Sequence, residues 1–302
     1  MDEMQQKPVW QVLLLVFLST IAGLFFGNAI GLIAGALFYS GDNYFTAIFN
    51  PTADMKVSLM VMQGFTSLLG FFLFPLFTWA RLRGKGLSGL NNGPLRVVPM
   101  VIVFFLVIAF GIVDSVIIEW NQNIHLPEAF KTIEEWARNS EDNLEALTKM
   151  LTQFNSPSEF ILALVVIAVV AGIAEEFLFR GILQTEFYRG TGNIHIAIWS
   201  AAILFSAIHV QFFGFVPRVL LGALFGYLYY WSGNLYVSMF AHFINNGFSV
   251  VAIYLNQLKV SDLDVESGGA APWPLVGAAA LAVVALLLYF KRYFEQTNNT
   301  LT

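Results

Sequence analysis

The sequence predicts an all-α, polytopic membrane protein, and three observations carry that prediction. Of 302 residues, 57% are hydrophobic and 12% charged, where a soluble domain carries about 25% charged residues. The mean hydropathy is +0.69. The apolar residues fall in unbroken runs rather than the alternation of a transmembrane barrel. This composition excludes soluble enzymes, disordered chains and disulfide scaffolds. Cys is absent, which removes disulfides, thiolate zinc sites and thiol nucleophiles. The net charge of -5 argues against nucleic acid as a partner; membrane lipid is the expected surrounding.

Runs of about 18 or more apolar residues read as membrane helices. Eight such runs lie at roughly 9–38, 57–80, 97–119, 158–183, 195–212, 216–232, 234–258 and 272–290. The first is longer than a signal-peptide core and Lys7 is the single basic residue ahead of it, so it is expected to be retained. By alternation Lys7, Arg81, Arg83, Lys85, Arg96, Arg189, Lys291 and Arg292 share one side; Lys56, Lys131, Arg138, Lys149 and Lys259 lie on the other. The positive-inside rule then gives N-in and C-in.

Residues 120–157 form the one long loop. Leu126, Phe130, Ile133 and Ala137, and then Leu144, Leu147, Leu151 and Phe154, recur at helical spacing. One or two amphipathic helices on the outer surface are expected, as a connector over the bundle, with a lid as the lesser alternative. Residues 262–269 read as an acidic outer loop. The sequon Asn298-Asn299-Thr300 falls at the expected cytoplasmic tail and carries no weight. The chain divides into an N-terminal part (1–157), a polar core segment (158–258) and a last helix with its flanks (259–302).

Each ionisable side chain within hydrocarbon costs about 2.5 kcal/mol or more and is a functional candidate by default. Glu175, Glu176, Arg180, His209 and His242 stand out, with Asn245 and Asn246 beside them and Asp114 as an isolated case. Glu176 and Arg180 stand at i,i+4 with the acid first, the favourable order, and are expected to form a structural pair. Glu175 points about 100° away around the helix and has no local partner. A desolvated carboxyl of that kind serves as a general base or acid near neutral pH. Phe205 precedes His209 by one turn and is expected to support the imidazole or line a pocket. A lone membrane His is equally an interhelical hydrogen-bonder. His242 and Asn246 share a face and offer two donors to one point, as a developing oxyanion requires; a polar seam or a share in a metal site is the alternative. Together these groups are an inventory for attacking a carbonyl with water. At about 1.5 Å per residue, Glu175 and His242 both lie about 12 Å from the cytoplasmic side, but His209 lies about 20 Å deep.

The segments Glu175-Glu176-Phe177-Leu178-Phe179-Arg180, Phe205-Ser206-Ala207-Ile208-His209 and His242-Phe243-Ile244-Asn245-Asn246 resemble the EExxxR, FxxxH and HxxxN signature of the CPBP family. That family includes CAAX prenyl endopeptidases of the Ras-converting type and bacterial Abi proteins. The resemblance covers roughly 158–258. It implies an eight-helix intramembrane endopeptidase of the bacterial inner membrane, acting on membrane-associated, lipidated or CAAX-like peptide or protein substrates. By motif position Glu175 and His209 would activate water, His242 and Asn246 would form the oxyanion hole, and Glu176 and Arg180 would hold the architecture. No cofactor is firmly expected. Bacterial members are often described as metalloproteases, but no HExxH helix is present; a zinc ion would draw on Glu175, His209 and His242, with water as fourth ligand. The rival readings are a proton-coupled transporter, weakened by the lack of inverted repeats, a non-catalytic immunity or scaffold protein, and haem ligation by His209 and His242. A rhomboid-type serine protease is disfavoured because Trp231-Ser232-Gly233 lacks the leading Gly of its motif. A diaspartyl protease is excluded by the lack of paired membrane Asp.

Overall fold

A computed structural model describes residues 7–84, 86–261 and 269–299. Lys85, residues 262–268 of the predicted outer loop at 262–269, and Thr300 of the sequon lie outside the described residues. The protein is all-α. Among the described residues there is no β-strand, and nine helices longer than ten residues make the fold. They are α1 (Val9–Ala36), α2 (Ala53–Arg83), α3 (Val97–Gln122), α4 (Lys131–Thr152), α5 (Pro157–Thr191), α6 (Ile194–Ala207), α7 (Phe215–Ser232), α8 (Leu235–Gln257) and α9 (Trp273–Asn299).

Every helix but α4 stands at one of the eight predicted spans. Six of them, α1, α2, α3, α5, α8 and α9, are long and apolar enough to cross a membrane. α6 has 14 residues, about 21 Å. α7 has 18 residues and carries Arg218 in its first turn. The structure corrects two boundaries that matter for the site. Span five, predicted to run to 212, ends at Ala207, so His209 sits in a turn beyond α6, next to Val210 at φ 54°. Span four, predicted to end at 183, continues to Thr191 and stops where Gly192 takes φ 67°.

The chain ends these helices with recognisable devices. Thr191-Gly192-Asn193 and Ser232-Gly233-Asn234 are the same turn used twice. In each, the Gly takes a left-handed φ that a Cβ would oppose. The Asn side chain then caps the next helix, accepting from His195 and Ile196 N–H in one case and Tyr236 N–H in the other. α5 opens with Ser156 accepting from Glu159 N–H and Pro157 at the first helical position. Within α2, Pro75 offers no N–H and crowds the preceding turn, and the helix is widened to π geometry over Leu68–Leu73. α5 widens in the same way over Leu164–Val170 and Phe177–Gln184, on both sides of the turn that carries Glu175 and Glu176. Such π turns concentrate at functional sites.

α5 is the central helix: Phe177, Leu178, Phe179 and Ile182 are buried and pack with Trp79, Phe205, Leu235 and Met239. α1, α3 and α9 form the flanks. Their outward faces carry Phe17, Phe25, Ile33, Val101, Phe105, Leu281 and Leu288, all exposed, which is the surface a lipid-facing helix requires. The inner face of α1 is small: a Cβ on Gly27 would lie 2.8 Å from the Phe65 carbonyl of α2, so only Gly permits this close crossing.

The long loop contains one amphipathic helix, α4, with Leu126 and Phe130 ahead of it. It exposes Ile133, Trp136, Leu144 and Leu147. Its first half is tied to the end of α3. Glu134 accepts from Leu126 N–H at 2.7 Å and from Arg138 at 2.8 Å, and Arg138 reaches the Ile124 carbonyl at 2.8 Å. The Leu126 N–H, and after it Arg138, hold the Glu134 carboxyl down at about 2, against an ordinary 4.5. A depressed carboxyl stabilises the fold above its unfolded value and loses that contribution as pH falls through its folded one. We therefore expect the tether to loosen between pH 4.5 and 2. Hydrogen exchange of 122–138, corrected for intrinsic rates, should rise over that window ahead of α5; protection that stays flat there would refute the tether.

Candidate active site

Three adjacent helices bring the polar residues of α5, α6 and α8 together. At the α5–α6 hairpin, Glu175 lies sixteen residues before Thr191 and His209 fifteen residues after Ile194. At about 1.5 Å per residue, ~24 and ~23 Å, they stand at matching heights. The depth mismatch read from the sequence came from ending span four eight residues early.

Glu176 is fully buried, and one of its oxygens, Oε1, accepts from two donors: Arg180 Nη1 at 2.5 Å and His242 Nδ1 at 2.9 Å. Its second oxygen is buried without a hydrogen-bond partner. Arg180, buried to 1%, also donates from Nη2 to the Gly222 carbonyl of α7 at 3.0 Å. One turn along each helix, Gln184 donates to the Gly226 carbonyl at 3.1 Å. Both glycines are required by this approach. A Cβ at 222 would meet Arg180 Nη2 at 3.2 Å, and one at 226 would meet Gln184 Oε1 at 2.7 Å. The expected Glu176–Arg180 pair is present, and it does more than neutralise itself: its carboxylate grips His242.

That grip sets the chemistry of His242. A carboxylate facing Nδ1 accepts, so the proton at Nδ1 is fixed and Nε2 is the reactive nitrogen. Nε2 stands 3.8 Å from Glu175 Oε2, too far for a direct hydrogen bond. Glu175 thus faces His242 without a hydrogen bond to it, and it keeps some exposure, 14% of its side chain. His209 is arranged by similar logic. Its Nδ1 is 2.8 Å from the Phe205 carbonyl, which can only accept. That assigns the proton to Nδ1 and leaves the lone pair on Nε2. Phe205 lies between the two imidazoles, edge-on to His209 at 5.1 Å and to His242 at 5.9 Å. It also carries the Arg180 guanidinium at 4.6 Å from its centroid.

Asn246 is positioned but partly spent. Its amide nitrogen donates to the Ile167 carbonyl in the first widened stretch of α5 at 2.9 Å, and its oxygen accepts from Asn245 at 3.0 Å. One N–H of Asn246 is left for a ligand. Among the described residues no three His, Asp, Glu or Cys side chains gather as a metal site. Glu175, His209 and His242 thus do not form a ready zinc set in this arrangement.

Two residues that the sequence reading passed over border the site. The turn from His209 to Gly214 is held from outside by α4 and the end of α3. Glu141 Oε1 accepts from Phe213 N–H at 2.7 Å, and Arg138 lies 4.0 Å over the Phe213 ring. Asn121 accepts from Val216 N–H at 2.9 Å. Burial raises the Glu141 carboxyl above the ordinary range, opposed by its bond to Phe213 N–H. The second residue is Arg218, within electrostatic reach of Glu141, Glu175 and His209. A basic residue at the start of an apolar run was the available signal for it.

Comparison with known proteins singles out the same helices. A family model described as type II CAAX prenyl endopeptidase Rce1-like matches residues 157–248. A stretch of 85 residues, 27% of this chain, is 36% identical to the uncharacterised protein YpbD of Bacillus subtilis (strain 168). The match spans 40% of that relative's length. No solved structure matches the chain. The segment holding Glu175, His209, His242 and Asn246 is thus the part of the chain that is similar to the type II CAAX prenyl endopeptidase Rce1-like family.

Proposed function

We propose that the protein is an intramembrane endopeptidase that hydrolyses a peptide bond of a membrane-associated substrate by direct attack of water. The observation that carries this reading is the pair of oriented imidazoles around Phe205, with Glu175 beside one of them. His209 Nε2 and Glu175 take the proton of the attacking water. The carbonyl carbon gains the new C–O bond and its oxygen becomes an oxyanion. His242 then donates from Nε2, and Asn246 supplies its remaining N–H; such donors are worth about 10²–10³ in turnover each. For Nε2 of His242 to donate, it must hold a proton while Nδ1–H remains on Glu176. Glu175 acts in its carboxylate form, the form a base needs. As the tetrahedral species collapses, the C–N bond breaks and the proton held by Glu175 and His209 passes to the leaving amine.

The family match supports a protease of membrane substrates, lipidated or CAAX-like peptides among them; the distribution of Lys and Arg supports an orientation with both termini cytoplasmic, and the Bacillus relative a bacterial inner membrane. The test is hydrolysis of membrane-anchored and lipidated peptides by the purified protein in lipid nanodiscs, with products identified by mass spectrometry. Protein stripped of metal by chelation and verified by elemental analysis should keep its full rate. Loss of activity on stripping, restored by zinc alone, would replace this mechanism with a metal-dependent one.

A further inference from the structure

Arg218 is the cation of this site that the mechanism leaves unused. It sits in the first turn of α7, beside the turn that carries His209. Arg180, the other intramembrane arginine, spends its head group on Glu176 and on the Gly222 carbonyl. Arg218 does not. Its Nη2 donates to the neutral amide oxygen of Gln211 at 2.5 Å, and its Nη1 is buried with no hydrogen-bond partner. The guanidinium lies against Gly214, where a Cβ would be 3.1 Å from Nη2; the missing side chain at 214 leaves it room. The facing charged groups are Glu141 from α4, Glu175 from α5 and His209 from the turn. Glu141 is engaged by Phe213 N–H, and Glu175 faces His242 Nε2 at 3.8 Å.

A buried charged donor with no acceptor is costly, and each such group in a folded protein calls for an explanation. The explanation that also uses its position is a ligand. A guanidinium presents parallel N–H groups matched to the two oxygens of a carboxylate. We propose that Arg218 is the carboxylate-binding residue of the site. It takes a carboxylate of the peptide substrate, at a free C-terminus or on an acidic side chain, and thereby fixes which bond reaches Glu175 and His209. Arg218 is on this account a positioning residue. The assignment rests on the protease reading for its substrate, and the Nη2–Gln211 bond is the one the substrate would replace or share.

The test measures binding separately from hydrolysis. Peptides ending in a free acid or an amide, and peptides carrying Asp or Asn near the cleaved bond, are titrated onto the Glu175→Gln protein in nanodiscs. The acid member of one pair should bind about tenfold tighter, the scale of one charge-assisted contact. Which pair shows it identifies the source of the carboxylate. In Arg218→Gln the preference should fall to near one, and in Arg218→Lys it should be intermediate, because the charge stays and the fork is lost. In the active protein the same changes should appear in KM more than in kcat. Equal binding of both members of both pairs to protein with Arg218 intact overturns the assignment, whether or not the variants fold. Preference without hydrolysis by wild type would remove the protease reading and leave the carboxylate site standing. Hydrolysis without preference would do the reverse.

Discussion

Glu175→Gln and His209→Ala should each leave a folded membrane protein whose turnover is lower by about 10²–10⁴-fold, the contribution of a positioned acid or base. The structure separates these two residues from the scaffold. The Glu175 side chain is 14% exposed, and His242 Nε2, 3.8 Å away, is beyond hydrogen-bond distance. His209 stands in a turn outside α6 and is held by its own backbone neighbour, the Phe205 carbonyl, and by the Phe205 ring. Neither is part of the interlocked Glu176–Arg180–Gly222 network. Removing either should therefore change thermal unfolding in detergent little. The double variant should fall scarcely below the worse single one, because residues that act on one proton transfer are far from additive. Initial rates on a cleaved peptide, with unfolding curves on the same preparations, check both halves. Full activity in both single variants would end the water-activation mechanism. A collapse of stability in both would reassign the residues to the scaffold.

Much of this was legible in the sequence because the bilayer makes polarity expensive. Within apolar runs Glu175, Glu176, Arg180, His209, His242 and Asn246 were conspicuous, and the eight runs located eight helices. What was not legible was governed by single turns and distant contacts. Gln184, Thr185, Glu186 and Arg189 look like a loop, yet α5 runs through them, because Glu186 is buried between Trp79 and Arg83 of α2. Its polar groups have partners that hydropathy does not see. His209 looks like a helical residue, but the chain turns at Val210, and Ser206 donates to the Phe215 carbonyl across that turn at 2.8 Å. The pairing of His242 with Glu176 spans 66 residues and that of Glu141 with Phe213 spans 72. No local pattern encodes either. The i,i+4 spacing correctly joined Glu176 to Arg180 but had no means of adding the histidine.

Glu176→Ala and Arg180→Ala should produce the largest loss of folded protein of any single substitution in the site. Breaking a buried ion pair by deleting one partner leaves the other charge uncompensated and costs about 3–5 kcal/mol, a large part of a typical folding free energy of about 5–15 kcal/mol. Here the geometry aggravates both losses. Without Glu176, Arg180 keeps the Gly222 carbonyl and the Phe205 and Phe225 rings but has no anion directly bonded to it. Without Arg180, the Glu176 carboxylate keeps only His242, and its second oxygen already lacks a partner. Gentler substitutions separate architecture from chemistry. Arg180→Lys retains the charge while losing the second arm to Gly222, so a partial loss of yield is expected. Glu176→Gln keeps an amide oxygen for the Nδ1 proton of His242 but removes the charge-assisted bond to Arg180. A smaller loss of yield than in Glu176→Ala is expected, with turnover lowered because the orientation of His242 is held less firmly. Yield of monodisperse protein after detergent extraction, thermal unfolding and initial rates on a cleaved peptide are the readouts. Wild-type unfolding temperatures in both alanine variants would show that the pair is dispensable to the fold. A Glu176→Gln enzyme with wild-type turnover would show that the carboxylate is not needed to orient His242.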